Sequence, residues 1–300
     1  MNKTVKCNVA PEEVARVKGL GFLRDKTTLD CFNGRVITRN GKITAAECKA
    51  IAEASEQFGN GEVAMTSRLT VEIQRVPYEK IEPLREYLAQ YGLETGGTGP
   101  KVRPVVSCKG TTCQFGLIDT FALSEAIHER FYKGYHDVKL PHKFKIAVGG
   151  CPNNCVKPDI NDLGIVGQRI PKVEEALCRD CKICQIEKAC PIGNAKRTEG
   201  KVVLGTDCNR CGRCISKCPF GAVMEETTGY RVYIGGRWGK KAVRGIPLSK
   251  IFTDMEEVLN VVERTILFFK ENGTPGERFA DTVARLGFEK VETSLLGAEK

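Results

Sequence analysis

Histidine is almost absent from this chain: three in 300 residues (His128, His136, His142), too few for a His-rich zinc or copper centre. Long apolar runs are missing too. The best candidate, VLNVVERTILFF (258–269), is broken by Glu263 and Arg264 and is shorter than the ~18 residues a membrane span needs. The opening MNKTVKCNVAPEE has no apolar core of the kind a secretory signal requires. A cytoplasmic chain with no membrane span is the resulting expectation. Aromatic residues make up only 7%, with one tryptophan, and basic residues do not interleave with them as a nucleic-acid stacking platform would demand. No nucleic-acid partner is expected. No G-x-G-x-x-G stands at a strand–helix junction, which argues against a nicotinamide or flavin site in this chain. GGRWGKK (235–241) is one residue short of a phosphate loop and lacks its Ser/Thr.

What is present is a globular composition, 41% hydrophobic and 28% charged, of a length that suggests about two domains. The net charge is +9, which suits an anionic ligand as well as a polyanion and by itself does not choose. Fifteen cysteines would mean disulfides in a short secreted protein; in a cytoplasmic chain of this length they point to metal. Cys7, Cys31 and Cys48 stand alone and read as buried small hydrophobes. The other twelve are grouped.

CNRCGRCISKCP (208–219) is C-x2-C-x2-C-x3-C-P, the bacterial ferredoxin run. CRDCKICQIEKACP (178–191) repeats it with five residues before its last cysteine. In two-cluster ferredoxins the fourth cysteine of each run ligates the other cube. By that rule Cys178, Cys181, Cys184 and Cys218 hold one [4Fe–4S] cluster, and Cys190, Cys208, Cys211 and Cys214 hold the second. A pair of zinc knuckles has no use for a third cysteine at x2 spacing and a trailing Cys-Pro twice over. The module occupies 169–227, so most of the chain lies outside it and uses its electrons.

The remaining four cysteines form C-x4-C (Cys108, Cys113) and, 37 residues later, C-x3-C (Cys151, Cys155). Each pair follows an apolar run, VRPVVSC and FKIAVGGC, as strand ends that deliver ligands do. Four thiolates on two loops fit a third [4Fe–4S] cube. These pairs resemble the signature of the sirohaem-containing sulfite and nitrite reductases, although the first is one residue shorter than that family's usual C-x5-C. GKITAAECKAIAEASEQFGNGEVAMTSRLTVEIQRV is similar to the family's ferredoxin-like half-domain. GPKVRPVVSC and LPHKFKIAVGGCPNNC resemble its haem-binding segments. The tail, with YRVYIGGRWG, resembles the dissimilatory type and the small anaerobic sulfite reductase subunit, which carry an inserted ferredoxin at this point.

The resemblance implies an α+β chain. A ferredoxin-like half-domain over 1–98 would be followed by an α/β sirohaem and cluster domain over 99–300, interrupted by the two-cluster ferredoxin at 169–227. It implies sirohaem and three [4Fe–4S] clusters, with Cys155 as the thiolate shared between cube and haem iron. It places the substrate anion among Arg68, Arg103, Lys143 and Lys145, and makes Thr66 and Asn154 weaker candidates for cofactor contact. Alternation in KFK puts both lysines on one strand face and Phe144 on the other. His142 reads as exposed or behind the site. The activity implied is six-electron reduction of sulfite to sulfide, with electrons relayed through the insert from a ferredoxin- or flavoprotein-type donor. A homo- or hetero-oligomer is implied as well. Nitrite at the same site, or a polyferredoxin that only passes electrons, remain open. The four basic residues speak against the carrier, which needs no anion cage.

Local signals fill in the elements. Residues 1–20 read as a polar leader. Thr44-x-x-Glu47 predicts a capped helix ending near Gly59. Strand character spans 62–76 with a break at Ser67, and a helix runs from Tyr78 to Tyr91. ETGGTGPK (94–101) reads as a linker, 119–132 as a helix, and MEETTG (224–229) as the turn closing the insert. Thr253-x-x-Glu256 predicts the cap of a long helix that Gly273 ends. A final helix stops at Gly287.

Overall fold

The computed structural model describes residues 4–297. Its first helix, α1 (Pro11–Gly19), lies where the sequence suggests only a polar leader. Pro11 opens it, Glu12 and Glu13 sit in its first turn, and Arg16 and Lys18 in its last, so side-chain charges oppose the helix dipole at both ends. Then come β1 (Phe22–Arg24), β2 (Cys31–Val36), α2 (Ala45–Phe58), β3 (Val63–Met65), β4 (Val71–Pro77) and α3 (Ile81–Ala89). The strands form an antiparallel sheet in the order β1-β2-β4-β3. Helices and sheet close over Phe22, Phe32, Ile51, Ile73, Val76, Leu84 and Leu88. The cap of α2 is the one expected: the Thr44 hydroxyl accepts from Glu47 N at 3.2 Å, and the Glu47 carboxylate accepts from Thr44 N at 2.6 Å.

Residues 94–101 are not a free linker. Gly96, Gly97 and Thr98 are buried, Thr95 bridges to Val36, and Gly97 N donates to the Tyr132 hydroxyl at 3.1 Å. A Cβ on Gly96 would lie 2.7 Å from that hydroxyl. Here glycine permits close backbone approach, and the segment is a packed seam.

The second sheet has the order β11-β10-β7-β6-β5: β5 (Val106–Ser107), β6 (Ile146–Gly149), β7 (Leu163–Val173), β10 (Val223–Ile234) and β11 (Ile246–Phe252). β5, β6 and β7 run parallel, while β10 is antiparallel to both β7 and β11. Every residue of β6 and the first six of β7 are buried, as in a sheet covered on both faces. The covering helices include α4 (Thr120–Ile127), α6 (Met255–Asn272), α7 (Phe279–Leu286) and α8 (Phe288–Leu296). Phe144, Phe269 and Phe279 meet edge-on or tilted at 5.4–5.9 Å between ring centroids.

Four expectations need correction. α4 is capped by Asp119 and gives way to a π-helical turn over His128–Lys133, where His128 stacks on Tyr132. The cap of α6 is Asp254, whose carboxylate accepts from Glu256 N and Glu257 N; a carboxylate with two acceptors displaces Thr253. MEETTG is no turn. It lies within β10, which pairs with β7 from Val223↔Val173 to Ile234↔Leu163 across a bulge between Glu225 and Thr227. The strands therefore run through positions 169 and 227, and residues 174–222 are what leaves the sheet. They hold α5 (Gln185–Ala189) and the hairpin of β8 (Ala195–Thr198) with β9 (Lys201–Leu204) around a small core of Ile186, Ala195, Val202 and Val223. Lastly, none of the three stray cysteines is fully buried: Cys7 is half-buried and packs against the first core, Cys31 is half-buried, and Cys48 is exposed on α2.

Candidate active site

Parallel neighbours β5 and β6 end side by side, so the loops that follow them emerge at the same edge. Cys108 follows β5 and Cys151 follows β6, with Cys108 N bonded to Val148 O at 3.1 Å. Two glycines press the loops together: a Cβ on Gly150 would lie 2.8 Å from the Gly110 Cα, and Gly150 N donates to the Cys108 sulfur at 3.1 Å. Cys113 follows a 3-10 turn over Gly110–Thr112. Burial pushes the Cys151 thiol pKa up, and the nearby Cys108, Cys155 and Cys113 push the same way. Four sulfurs that repel one another as thiolates, gathered by a constrained backbone, are a donor set for metal.

The insert holds two further sets. Cys178, Cys181, Cys184 and Cys218 line one cavity, and Cys190, Cys208, Cys211 and Cys214 line another. Burial, followed by Cys208, raises the Cys214 thiol to about 11. At Cys190 burial acts upward, but backbone N–H groups of Ile192, Ala195, Asn194 and Gly193 outweigh it and lower the pKa; Asn194 N lies 3.1 Å from the sulfur. Among the described residues no three His, Cys, Asp or Glu side chains converge on a point where one ion would sit. Each set of the insert rings a cavity, and four thiols around one volume are the kind of donors a polynuclear cluster takes.

Beside the Cys108–Cys155 loops lies a cavity of about 350 Å³, lined among others by Arg68, Lys145, Cys155, Lys157 and Trp238. An adjoining space of about 480 Å³ is lined by Asn154, Asp159, Ala242 and Arg244, and the two share Lys157, Ile160 and Trp238. Cys155 is exposed toward this region, unlike its three partners.

Arg68 is brought from the first sheet by a turn that Thr66 organises. The Thr66 hydroxyl accepts from Arg68 N and Thr70 N at 3.3 and 3.2 Å, so Thr66 supports the turn and does not project into the cavity lining. The Arg68 guanidinium donates to Pro104 O, Ile146 O and Asn161 Oδ1 at 2.6–3.2 Å, which ties the two sheets together. Four of its five N–H groups are thus taken, leaving one for a ligand. Burial, resisted by Asp162 and reinforced by Arg103, Arg35 and Arg278, lowers its pKa to about 10. Lys145 is lowered to about 8, by burial first and then by Arg68 and Arg278.

Arg103 and Lys143 are not among the residues that line this cavity. Arg103 Nη1 donates to Gly97 O in the seam, its buried Nε has no partner among the described residues, and burial lowers its pKa to about 10. Burial, then Arg278 and Arg103, lower the Lys143 pKa. Phe144 is fully buried between the two half-buried lysines, as alternation implies. His142 is half-buried and its Nδ1 accepts from Lys143 N at 2.7 Å. Asn154, in a left-handed conformation, donates to Asp159 at 2.8 Å while its buried Oδ1 has no partner among the described residues.

Several residues of the site escape sequence reasoning. Asp162, fully buried, accepts from Lys145 N at 2.9 Å and from Arg278 Nη2 at 2.9 and 3.0 Å. Arg35 pairs with Glu72 at 2.6 Å and reaches the Gly97 carbonyl at 3.4 Å. Nothing in the sequence around Arg35 or Arg278 marks either as part of the cluster, because tertiary packing alone brings them there. Lys157 carries a local signal, its place two residues after Cys155.

Sequence matching now gives these features a context. The nitrite and sulphite reductase 4Fe-4S domain matches residues 98–298, and the nitrite/sulfite reductase ferredoxin-like half domain matches 24–91. A coenzyme F420-dependent sulfite reductase of Methanocaldococcus jannaschii is 33% identical over 81% of this chain, which spans 38% of that protein's length. An uncharacterized protein of the same organism is 31% identical over 89% of this chain and 91% of its own. The crystal structure of dissimilatory sulfite reductase I superposes with a TM-score of 0.70 at 22% identity, covering 90% of this chain and 70% of that one, a likeness of fold. Two matched domains in this order, over most of the chain, make it a member of the nitrite and sulphite reductase family.

Proposed function

We propose that this chain is a sirohaem-dependent sulfite reductase that takes sulfite to sulfide with six electrons. The observation that carries the reading is the 350 Å³ cavity in which the exposed Cys155 faces Arg68 and Lys145. A cube-bearing thiolate and fixed cations opposite one another are what an anion reduced at a haem requires. When bound, sirohaem and the cube held by Cys108, Cys113, Cys151 and Cys155 would supply the electrons. The protein's own part is charge and position.

Lys145 holds an ammonium where the oxygens of sulfite would lie, and Arg68 offers its remaining N–H beside it. Both act from a half-buried site where charge is weakly screened and already oriented. Arg103 and Arg35, near Arg68, and Lys143, near Lys145, add positive potential, which also favours an acidic macrocycle. Asn154 has an unpartnered Oδ1 at the rim of the adjoining space and is a candidate cofactor contact; Thr66 acts through Arg68.

The insert serves as the conduit. One further cavity is lined by Phe115, Leu117, Cys151 and Asn153 on one side and by Arg169, Cys211, Gly212 and Arg213 on the other. Arg169 N bonds Arg210 O at 2.9 Å and fixes that contact. The Cys190/208/211/214 set therefore neighbours the catalytic set, and the Cys178/181/184/218 set lies outermost. A separate electron-donor protein and assembly with further subunits belong to this reading. No described helix is long and apolar enough to cross a membrane.

The test is anaerobic reconstitution followed by the visible spectrum, an iron count and turnover with sulfite and with nitrite. A chlorin-type haem band, about twelve cluster irons and sulfide formation are expected. Iron–sulfur absorption alone after sirohaem is offered would leave a carrier and sink the proposal. Turnover of nitrite but not sulfite would keep the site and replace its substrate.

A further inference from the structure

Residues 235–245 join β10 to β11 and belong to neither strand. The base of this loop is firmly built. Arg237 and Val243 exchange both backbone hydrogen bonds at 2.9 Å, and Gly245 N donates to Asp159 O at 2.6 Å. Arg237 also pairs with Asp281 at 2.7 Å. A Cβ on Gly236 would lie 2.5 Å from Asp159 O, so glycine is needed where the loop crosses the 159–161 turn. The tip is the opposite: residues 238–244 are all exposed.

At that tip stands the chain's one tryptophan. Trp238 is 61% exposed, a poor arrangement for an indole, whose large apolar surface gains from leaving water. It lines both cavities beside the cysteine loops, the one containing Cys155 and the one containing Asn154. Around it are Lys157, Lys240, Lys241 and Arg244, all exposed. The neighbouring acid, Asp159, is engaged by Asn154 at 2.8 Å and by Arg244 at 3.8 Å. An aromatic plate on a rigid stem, ringed by cations and hung over a cavity, suits a flat polyanion.

We infer that the 235–245 loop is part of the binding site for a planar, multiply carboxylated macrocycle. Trp238 packs its indole against the ring, and Lys240, Lys241 and Arg244 meet its carboxylates. The assignment rests on the sirohaem reading above and adds contacts from a loop separate from the one that carries Cys155.

Because Trp238 is alone, its fluorescence reports this site only. Acrylamide quenching is measured on protein that carries its iron–sulfur clusters, before and after sirohaem is added. Its accessibility should fall severalfold on addition. Trp238→Ala should release sirohaem on the order of tenfold faster, as loss of one aromatic stacking partner does elsewhere, with cluster iron unchanged; Trp238→Phe should stay close to wild type. Wild-type protein that takes up sirohaem with Trp238 as accessible as before overturns the assignment, and no variant is needed to see it. Protein that takes up no sirohaem overturns the underlying reading together with it.

Discussion

Lys145 is the residue on which charge and pH meet. In the proposed site its ammonium attracts the anion, yet burial and its cationic neighbours lower its pKa to about 8. The charged form is present below that value and is lost as pH rises through it. The alkaline limb of kcat/KM for sulfite should therefore bend near pH 8, since this ratio reports the free enzyme. Lys145→Arg should remove the bend, because a guanidinium stays charged. Lys145→Ala should lower turnover on the order of 10²–10³-fold at pH 7, the loss seen for one preorganised electrostatic donor. An unchanged profile in the Arg variant would assign the bend to another group. Behind Lys145, Asp162 and Arg278 form a buried pair with side chains 0% and 7% exposed. Arg278→Met leaves the carboxylate uncompensated and should destabilise the fold by about 3–5 kcal/mol. Chemical denaturation would show it, and Asp162→Leu added to Arg278→Met should recover part of the loss. If the single and double variants melt alike, the pair is not what holds Lys145 in place.

At the scale of elements, the Cys108–Cys113 and Cys151–Cys155 loops depend on one glycine contact. Gly150→Ala puts a methyl 2.8 Å from the Gly110 Cα and 3.5 Å from the Cys108 sulfur, and the obstacle is backbone that cannot rotate away. That variant should lose the iron of the Cys108/113/151/155 set while the insert keeps its own. Iron analysis with cluster-resolved electron paramagnetic resonance distinguishes the two, and full iron with an unaltered signal would refute the constraint. Elements with strong local signals were legible: the Thr44–Glu47 box fixes where α2 starts, and Gly273 fixes where α6 stops. Elements decided by partners were not. The glycines of 94–101 read as slack and are in fact a seam against Tyr132. MEETTG reads as a turn but is held extended by pairing with residues 168–172 of β7. The grouping of the cysteines was legible in their spacing, and the structure gathers each insert set around one cavity and the other four on two adjoining loops. Of the four expected anion contacts, Arg68 and Lys145 line the cavity beside Cys155 and Arg103 and Lys143 are not in its lining, a division no local sequence signal announces.

For the whole molecule, the arrangement of the three cysteine sets gives the proposed electron path a direction. The Cys151 and Cys211 loops share a cavity, whereas the cavity of the Cys178 set includes Ile183, 57% exposed, on its rim. Electrons from a donor protein should arrive at the Cys178 set, move to the Cys211 set, and only then reach the cube beside the anion. Breaking the chain at different links separates this order from its reverse. In Cys211→Ser the Cys178 cluster should fill from the donor and, with sulfite present, stay reduced, because its outlet is gone. In Cys181→Ser the Cys211 cluster should stay oxidised under the same conditions, because its supply is gone. Both variants should retain more activity with a small reductant that reaches the open cavity at Cys155 than with the protein donor. Electron paramagnetic resonance of samples frozen during turnover reads the two clusters separately once each variant's remaining signal is assigned. A Cys178 cluster that reoxidises normally in Cys211→Ser would mean electrons leave it by another route, and the linear path through the insert would be wrong.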